Sequence, residues 1–454
     1  MSPLKFYISL LTIIIASALS ASSQMLTKYA SSVEGIDADQ ISVYIEDLRT
    51  GDVVLDVNGE IPMTPASVTK LFTAATVFQT QDLSKCFETK VYLNGKTESG
   101  RLQGDILIVS TGDPTFGSSY FPDKRYVADS IAAAIRKCGI TGIDGEIKIE
   151  SPQWLEEPVP DGWKESDVSR PYGTGYHSFN YRDNRVSMRF SRNGSYVFTP
   201  ATPGLTAKKS TGKGGESVWR TKGSNVYNVN HSAKKDLITD VANPLPEATF
   251  KEALRVSLKN AGIDVEGRKT KHSSKKSLVY THLSPTIYEI LKSLVLRSDN
   301  QMAEAMLRYA FPGMSRIDAV EKEMDLWKQL GIDTNEMSLE DGSGLSRNDR
   351  LTAYNLADML AWMAVNDPKF MDFVRLLPSA GETGTLKSFL KSSPLHGKIV
   401  AKTGSLNGVQ CYAGYAIDAI GVPTHVVVIM VNGFKGARSD LKSTLQQLLI
   451  EKIR

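Results

Sequence analysis

Apolar and polar positions alternate near both ends of the chain, which is the pattern of half-buried β-strands. The segment "ISVYIEDLRTGDVVLDVNGE" (41–60) alternates on both sides of "RTGD" and predicts a β-hairpin. Near the other end, "GKIVAKTGSLNG", "CYAGYAID" and "THVVVIMVNGF" predict three strands joined by tight glycine-bearing turns. Because strands from both ends flank a helical middle, we expect the two ends of the chain to meet in one α/β domain.

In other segments the apolar residues recur every three or four positions, which predicts helices. The last one, "SDLKSTLQQLLIEKIR", places four leucines on one stripe: Leu441, Leu445, Leu448 and Leu449. That stripe fits packing against the sheet, and a position on a membrane surface is the alternative. The segment "PASVTKLFTAATVF" (65–78) predicts a helix that starts near its proline. Another helix is expected to begin with Ser284 as N-cap and Pro285 as its first residue.

The middle of the chain contains two segments that resemble each other. "YVADSIAAAIRKCGITGIDG" (126–145) and "TFKEALRVSLKNAGIDVEG" (249–267) each predict an amphipathic helix, then Gly-Ile and a short apolar turn. They suggest paired units of one inserted domain. Residues from about 160 to 240 lie between them, rich in Gly, Ser, Asn and Tyr, with short alternating runs. We expect a small β-rich insertion there, nested inside the first.

Composition and the first residues bound the class of protein. The chain has 454 residues, of which 41% are hydrophobic and 23% charged, enough for two or three globular domains. A net charge of +3 is too weak to indicate a nucleic-acid partner. The opening "MSPLKFYISLLTIIIASALSASSQ" has the shape of a secretory signal peptide, and an uncleaved membrane anchor is the alternative. The mature protein is therefore expected outside the cytoplasm.

Cysteine and histidine positions indicate no metal centre. Cys86, Cys138 and Cys411 allow one disulfide, and Cys86 with Cys138 is the expected pair because both fall in the same stretch of chain. Their spacing does not fit zinc, and the six histidines are scattered without an H-E-x-x-H pattern. No cofactor or metal is expected.

Ser67 and Lys70 stand three residues apart at the start of the helix predicted over 65–78, so they share one face. Alone the pattern is weak, because a capping serine and a surface lysine would look the same. A serine becomes a good nucleophile when a base takes its proton. A lysine can be that base only when neutral, and burial or a second cation lowers its pKa.

Two further patterns supply the remaining parts of such a site. "AKTGSLNG" places Lys402, Thr403 and Gly404 on a predicted strand, and "LRSDNQMAEAM" places Ser298 and Asn300 on a loop between helices. Each pattern alone is common. The ordered set Ser-x-x-Lys, Ser-x-Asn and Lys-Thr-Gly is the signature of β-lactamases and penicillin-binding proteins.

With these motifs, nearly the whole mature chain resembles the DacB-type low-molecular-mass (class C) penicillin-binding proteins, the D-alanyl-D-alanine carboxypeptidases/endopeptidases of bacterial cell walls. The segments that carry the resemblance are "TPASVTKLFTAA", "GDPTF", "HSFNYRDN", "RSDNQMAE", "DGSGLSRND", "GTLKSFL" and "KTGSLNGVQCYAGY". The implied fold class is α/β, the serine β-lactamase/DD-peptidase (transpeptidase-like) fold with two nested inserted domains. The implied domains are a signal peptide 1–22, a penicillin-binding domain 23–95 and 275–454, an inserted α/β domain 96–160 and 241–274, and a nested β-rich insertion 161–240.

The resemblance also implies catalytic roles. Ser67 attacks the carbonyl of the penultimate D-Ala and forms an acyl-enzyme, with Lys70 as general base. Ser298 relays the proton to the leaving amine, and Asn300 holds the amide of the substrate. The oxyanion hole is expected from the backbone N–H groups of Ser67 and Ser405.

Substrate-binding roles follow from the same resemblance. Lys402 and Thr403 fit a free carboxylate, and Lys402 would help to hold Lys70 neutral. Gly404 would let a peptide approach the strand closely. Asp113 and Arg347 match family positions placed to bind the diamino acid of the stem peptide. The structural alternatives are a turn-forming Asp before Pro for Asp113 and a structural ion pair for Arg347.

The implied substrates are peptidoglycan stem peptides and their cross-links, with β-lactams as covalent inhibitors and the periplasm as location. A serine β-lactamase or esterase on the same fold is a competing hypothesis, disfavoured because no dedicated deacylating Glu stands out between the motifs. A non-catalytic wall-binding protein is another, disfavoured because every motif residue is intact. The sequence leaves open carboxypeptidase against endopeptidase, the diamino acid, the oligomeric state and any membrane contact of the last helix.

Overall fold

A computed structural model describes residues 37–153, 156–211, 217–232, 235–269 and 276–453. The expected signal peptide, 1–22, lies outside these residues. The chain divides into two compact units. The terminal unit contains the described residues up to Gln81, Lys292–Ser298 and those from Arg316 onward. The central unit contains Asp82–Leu291 and Asp299–Ser315.

The secondary structure of the described residues alternates strands and helices along the chain. The strands are β1 (Ile41–Asp47), β2 (Val53–Val57), β3 (Cys86–Glu98), β4 (Arg101–Ser110), β5 (Gly142–Ile143), β6 (Ile147–Glu150), β7 (Arg185–Phe190), β8 (Tyr196–Thr199), β9 (Thr206–Lys209), β10 (Ser217–Trp219), β11 (Val226–Asn230), β12 (Leu237–Ala242), β13 (Asp264–Val265), β14 (Lys276–Thr286), β15 (Ile399–Leu406), β16 (Val409–Ile417) and β17 (Pro423–Asn432). The helices are α1 (Lys70–Thr80), α2 (Val127–Lys137), α3 (Glu165–Val168), α4 (Pro246–Asn260), α5 (Ile287–Arg297), α6 (Asn300–Ala310), α7 (Arg316–Gln329), α8 (Ala353–Asn366), α9 (Phe370–Val374) and α10 (Arg438–Lys452).

The terminal unit is built on a five-stranded antiparallel sheet in the order β15–β16–β17–β1–β2. The predicted hairpin of residues 41–60 forms β1 and β2, and the three predicted strands near the end form β15, β16 and β17. β1 pairs with β17 from Ile41 opposite Val431 to Asp47 opposite His425. The expectation that the two ends of the chain meet in one α/β domain is therefore confirmed.

The last helix, α10, packs against this sheet. Its four stripe leucines are each about 1–2% exposed and belong to the same apolar cluster as Val43, Ile429 and Val431 of the sheet. Sheet packing is therefore the use that the structure shows for the stripe. Within the described residues, none of the helices has the length and apolar character needed to cross a membrane.

The central unit contains a six-stranded sheet in which β13, β5, β4, β3 and β14 follow one another and β6 also pairs with β4. The two segments that resemble each other form α2 with β5 and α4 with β13. β5 and β13 pair in parallel, with Gly142 opposite Asp264, and both helices bury apolar residues in one cluster. Strands β7–β12 form two further three-stranded sheets over a separate apolar cluster that includes Met188, Phe190 and Tyr227.

The observed division of the chain differs from the expected domain boundaries after residues 95 and 274. β3 and β14 pair with each other along most of their length, and β3 also pairs with β4. Strand pairing therefore places both in the central unit, which begins at Asp82. The expected nested insertion, 161–240, contains α3 and most of the two small sheets.

The helix α5 starts later than the sequence suggested. Ser284 and Pro285 are still part of β14, and the helix begins at Ile287. Thr286 provides the cap instead, because its Oγ1 accepts from the backbone N–H of Glu289 at 3.3 Å and its own N–H donates to the Glu289 carboxylate at 2.8 Å. The Ser284 hydroxyl accepts from the backbone N–H of Phe87 at 2.9 Å.

All three cysteines are free, so the expected disulfide between Cys86 and Cys138 is wrong in this structure. Cys86 opens β3, a strand of 13 residues, which extends about 40 Å. Cys138 follows α2 near the opposite end, where Thr141 donates its N–H to Gly100 just beyond β3. A disulfide needs Cα atoms within about 7 Å, so shared sequence neighbourhood did not mean shared space.

Candidate active site

The Ser67–Lys70 pair is assembled by a short 3-10 turn. Residues Ala66–Thr69 form this turn and α1 starts at Lys70. Positions three apart eclipse in a 3-10 helix, and Nζ of Lys70 lies 3.0 Å from Oγ of Ser67. Ser67 is half-buried and Lys70 is fully buried. The geometry suits transfer of the serine proton to a neutral amine.

A loop from later in the chain fixes the Lys70 amine. Lys70 Nζ donates to the backbone carbonyl of Ser343 at 2.5 Å. Asp341 organises the loop, since its carboxylate accepts from the backbone N–H groups of Ser343 at 2.9 Å and Ser346 at 2.9 Å. The segment "DGSGLSRND" contributed to the family resemblance, but neither Asp341 nor Ser343 was predicted to have a role in the site. Its Asp-Gly-Ser-Gly composition, typical of side-chain-stabilised turns, was the available signal.

Close backbone packing brings this loop against the 3-10 turn. A Cβ atom on Gly344 would lie 2.0 Å from the carbonyl oxygen of Ala66, so only glycine fits there. Ala66 itself has a φ of +50°, in the left-handed region that non-glycine residues rarely adopt. Such strain concentrates at functional sites, and here it immediately precedes Ser67.

A second buried amine lies on β15. Lys402 is fully buried, and its Nζ donates to Ser298 Oγ at 2.8 Å and to the Thr403 carbonyl at 2.6 Å. Ser298 ends the short segment Lys292–Ser298 of the terminal unit and has a φ of +59°. The terminal unit thus contains two serine–lysine pairs, each with its hydroxyl and amine at hydrogen-bonding distance.

The electrostatics of the two amines are coupled. Burial, and then the positive charge of Lys70, lower the pKa of Lys402 well below its usual value. The like-charge interaction between the two amines opposes their being charged together, and the expected role of Lys402 as the cation that keeps Lys70 neutral stays a prediction. Because two like charges that are both buried repel each other, the amines of Lys70 and Lys402 titrate as a coupled pair rather than independently.

Gly404 is required by the chain itself. A Cβ at this position would lie 2.5 Å from the carbonyl oxygen of Pro65 and 3.1 Å from the backbone nitrogen of Ser67. The turn that carries Ser67 thus packs closely against β15 at Gly404, and the expected close approach of a substrate peptide stays a prediction. This contact brings the Ser67 N–H beside β15, next to the exposed residue Ser405.

β15 is an edge strand of the terminal sheet. Its outer side is covered as far as Ala401, whose N–H donates to the Pro378 carbonyl at 3.0 Å. Beyond that point lie half-buried Thr403, which bonds the Thr385 hydroxyl at 2.8 Å, and exposed Ser405. An edge strand presents backbone N–H and C=O groups to which an extended peptide can pair.

Arg347 lies in the terminal unit and is half-buried. Its Nη1 donates to the backbone carbonyl of Asn407 at 3.1 Å. This contact is neither the ion pair of the structural alternative nor a contact with a ligand. The predicted role of Arg347 in binding the diamino acid stays a prediction.

Asn300 and Asp113 belong to the central unit. Asn300 is the first residue of α6, is 5% exposed, and donates from Nδ2 to the Tyr172 carbonyl at 2.8 Å. Asp113 is 1% exposed, and its Oδ1 accepts from the N–H of Thr115 at 2.7 Å and from its hydroxyl at 2.6 Å. Its Oδ2 lies 3.6 Å from Nε2 of His282. These contacts match the turn-forming alternative for Asp113, and its substrate role stays a prediction.

In the described part of the chain, no group of three or more His, Cys, Asp or Glu side chains could hold a metal ion.

The sequence of this chain matches that of a known protein family over most of its length. Residues 22–451 match the D-Ala-D-Ala carboxypeptidase 3 (S13) family. The chain belongs to this family. The resemblance seen in the motifs is therefore confirmed, and the S13 protein described here is a serine-type D,D-peptidase.

Curated relatives extend over most of the S13 chain. A D-alanyl-D-alanine carboxypeptidase DacB of Haemophilus influenzae is 26% identical over 434 residues, which cover 90% of this chain and 88% of the relative. A D-alanyl-D-alanine carboxypeptidase of Actinomadura sp. is 26% identical over 442 residues, with 87% of this chain and 79% of the relative covered.

Solved structures agree on the fold. Penicillin binding protein 4 (dacB) from Haemophilus influenzae superposes with a TM-score of 0.78 at 23% identity and covers 94% of this chain and 98% of its own. The same protein complexed with a novel beta-lactam gives a TM-score of 0.75 at 23% identity. The expected α/β penicillin-binding fold is thereby confirmed.

Proposed function

We propose that this chain hydrolyses the peptide bond after the penultimate D-Ala of peptidoglycan stem peptides through an acyl-enzyme at Ser67. The observation that carries this proposal is the 3.0 Å separation of Ser67 Oγ and Lys70 Nζ, with the amine fully buried. A buried amine beside a second buried amine, Lys402, is biased toward its neutral form, which a general base requires.

The acylation step uses the two serine–lysine pairs in turn. Ser67 Oγ attacks the carbonyl carbon of the penultimate D-Ala while its proton moves to Lys70. The resulting oxyanion accepts hydrogen bonds from the backbone N–H groups of Ser67 and Ser405. The C–N bond then breaks, and the Ser298 hydroxyl delivers a proton to the departing amine. Water afterwards hydrolyses the Ser67 ester and regenerates the hydroxyl.

Binding of the substrate carboxylate is proposed to activate Lys70 as a base. Lys402 and Thr403 are proposed to hold the carboxylate of the terminal D-Ala. An adjacent anion favours the ammonium form of a lysine, so the carboxylate would settle the proton on Lys402 and leave Lys70 as the neutral base. Without substrate, burial and the Lys70 charge lower the pKa of Lys402, and the carboxylate would offset that effect. Asn300 is proposed to hold the amide on the acyl side of the scissile bond.

The biological setting follows from the same proposal. The N-terminal segment is proposed as a cleaved signal peptide, which places the enzyme in the periplasm next to its substrate. Cross-links that join D-Ala to the diamino acid of a second stem would be cleaved by the same chemistry. β-Lactams, which carry a reactive amide and a carboxylate, would acylate Ser67 in the same way and leave slowly.

The test is incubation of the purified chain with uncross-linked and cross-linked wall fragments. The proposal predicts release of free D-alanine, split cross-links, or both, and loss of these products in Ser67→Ala. Ser130→Ala, an exposed serine on α2 of the central unit, is the matched control and should retain activity.

Other outcomes would favour the competing hypotheses. Rapid turnover of a fluorescent penicillin without release from wall fragments would indicate a β-lactamase. Binding of wall fragments with neither product nor penicillin adduct would indicate a non-catalytic wall protein.

A further inference from the structure

A strained turn in the central unit precedes β7. Three successive non-glycine residues, Arg182, Asp183 and Asn184, have φ values of +53°, +59° and +48°. Residues other than glycine rarely adopt this left-handed backbone conformation, although Asn and Asp tolerate it better than most. Three such residues in a row are energetically costly. Backbone strain of this kind persists only where the surroundings enforce it, which suggests a function for what the turn delivers.

The surroundings enforce this turn through buried hydrogen bonds. The Asp183 carboxylate is buried and accepts from the hydroxyl of Ser118, and from the N–H of Ser119 at 3.2 Å and its hydroxyl at 3.0 Å. Asn184, also buried, accepts from the Tyr181 N–H at 3.1 Å and donates to Asn180 Oδ1 at 2.8 Å. The segment "HSFNYRDN" is thus a rigid support rather than a loose connection.

The residue that the turn delivers is Arg185, the first residue of β7. Its Nη2 lies 2.9 Å from Oδ2 of Asp299, whose side chain is only 2% exposed. Its Nη1 contacts the Tyr120 hydroxyl, and the guanidinium lies 5.6 Å from the Tyr120 ring centroid. An arginine held by a carboxylate and an aromatic ring has a well-defined position.

Asp299 links this arginine to the Ser-x-Asn motif. Oδ1 of Asp299 accepts from the N–H of Met302 at 3.0 Å and so caps α6. Asn300 is the next residue and the first of α6, and its Nδ2 donates to the Tyr172 carbonyl at 2.8 Å. Since the two polar atoms of an amide face opposite sides, the Tyr172 contact sets the direction in which Asn300 Oδ1 points.

We propose that Arg185 is a positioning residue for the D,D-peptidase reaction. Supported by the left-handed turn Arg182–Asn184, it fixes Asp299 and thereby the start of α6 and the Asn300 amide. The region between the two similar segments, expected from sequence only as a β-rich insertion, thus sets the geometry of a catalytic motif. The inference rests on the proposed role of Asn300 in binding the amide on the acyl side of the substrate.

The experiment compares two substrates and three variants. One substrate is an acylated D-Ala-D-Ala peptide, and the other is its depsipeptide analogue, in which the N–H of the penultimate D-Ala is replaced by an ester oxygen. The variants are Arg185→Met, Arg185→Lys and the control Arg189→Met, an exposed arginine on the same face of β7. The readouts are kcat and KM for each substrate.

Arg185→Met is expected to lower kcat/KM for the peptide about 10- to 100-fold, because small misplacements of a positioning group have effects of that size. The depsipeptide lacks the N–H that Asn300 would bind, so its kcat/KM should fall less than about 3-fold. Arg185→Lys should lie between wild type and Arg185→Met, because it keeps the charge and loses the planar fork. Arg189→Met should leave both substrates unchanged.

Equal losses on both substrates would show a general structural role and overturn the positioning role, as would wild-type activity of Arg185→Met. If Arg185→Met does not fold, the ratio of the two substrates in Arg185→Lys decides by the same criterion. A wild-type enzyme inactive toward both substrates would overturn the proposed function and this role with it. An active wild type with an indifferent Arg185 would overturn this role alone.

Discussion

Lys402 and Asp113 are both buried titratable residues that the sequence suggested for substrate binding, yet their surroundings differ. Lys402, in the terminal unit, is fully buried with a pKa lowered by burial and by the like charge of Lys70. Asp113, in the central unit, is 1% exposed but bonded twice by Thr115 and lies beside His282. A buried carboxyl that bonds to its own turn fits a structural role, whereas a buried amine that faces a like charge is a candidate for binding a ligand.

The largest effect should come from Lys70, the proposed general base. Lys70→Met is expected to slow acylation by about 10³- to 10⁴-fold, because the Ser67 hydroxyl loses the group proposed to take its proton. The rate of penicillin labelling measures this directly. Lys387→Met, an exposed lysine in the same unit, is the control. Labelling of Lys70→Met within 10-fold of wild type would show that another group is the base.

A third buried titratable residue, Glu323 in the terminal unit, can be compared with Lys402 and Asp113 through its effect on the pH dependence of stability. Glu323 of α7 is fully buried, and burial raises its pKa from 4.5 to about 8. Between pH 4.5 and 8, the Glu323 carboxyl keeps its proton in the folded protein and releases it in the unfolded protein. The contribution of Glu323 to stability is therefore greatest below pH 4.5 and falls as pH rises toward 8, by about 1.4 kcal/mol per pH unit.

Glu323→Gln removes this titration while nearly keeping the shape of the side chain. Urea unfolding should show a variant similar to wild type at pH 5 and about 4 kcal/mol more stable at pH 8. Parallel curves for the two proteins from pH 5 to 8 would mean that the Glu323 carboxyl is ionised in the folded state.

Lys402→Met should separate function from stability. Loss of the amine proposed to bind the substrate carboxylate should slow acylation by about 10- to 100-fold. Since the folded state lowers the pKa of Lys402, the unfolded state binds more protons, and the contribution of Lys402 to stability should rise as pH increases toward the ordinary lysine pKa of 10.5. The Met variant should be more stable at pH 7 and lack this rise, as measured by denaturant unfolding. A less stable variant at pH 7 would contradict this assignment.

Asp113→Asn is expected to have the smallest effect, a loss of about 1–3 kcal/mol in the free energy of unfolding. The reason is weakened bonding to Thr115 and a lost interaction with His282. Penicillin, which lacks a diamino acid, should label it at the wild-type rate. If stability is unchanged while hydrolysis of stem peptides alone falls, the substrate role predicted from sequence is correct.

The sequence predicted contacts that depend on spacing within one element. Ser-x-x-Lys gave the Ser67–Lys70 contact, because residues three apart share a helical face whether the turn is 3-10 or α. Strand alternation gave the terminal sheet, including the meeting of β1 with β17. The family motifs assigned Ser298 and Lys402 to one site, and the structure places the Ser298 hydroxyl 2.8 Å from the Lys402 amine although 104 positions separate them.

Features that depend on three-dimensional neighbours were missed. The Ser343 carbonyl that fixes Lys70 carries no side-chain signal, because a backbone oxygen is present at every residue. The Cys86–Cys138 pairing failed because strand length separates residues that lie close in sequence. The close packing of the Pro65 backbone against Gly404 was not anticipated, and the predicted substrate contact of Gly404 stays a prediction.

Mapping the penicillin adduct tests the central claim most directly. The chain is incubated with a penicillin, digested, and the modified peptide is identified by mass spectrometry. A single adduct per chain on the peptide that contains Ser67 is the predicted result. An adduct on any other residue, Ser298 included, or none on a folded chain that still hydrolyses stem peptides, would contradict the account.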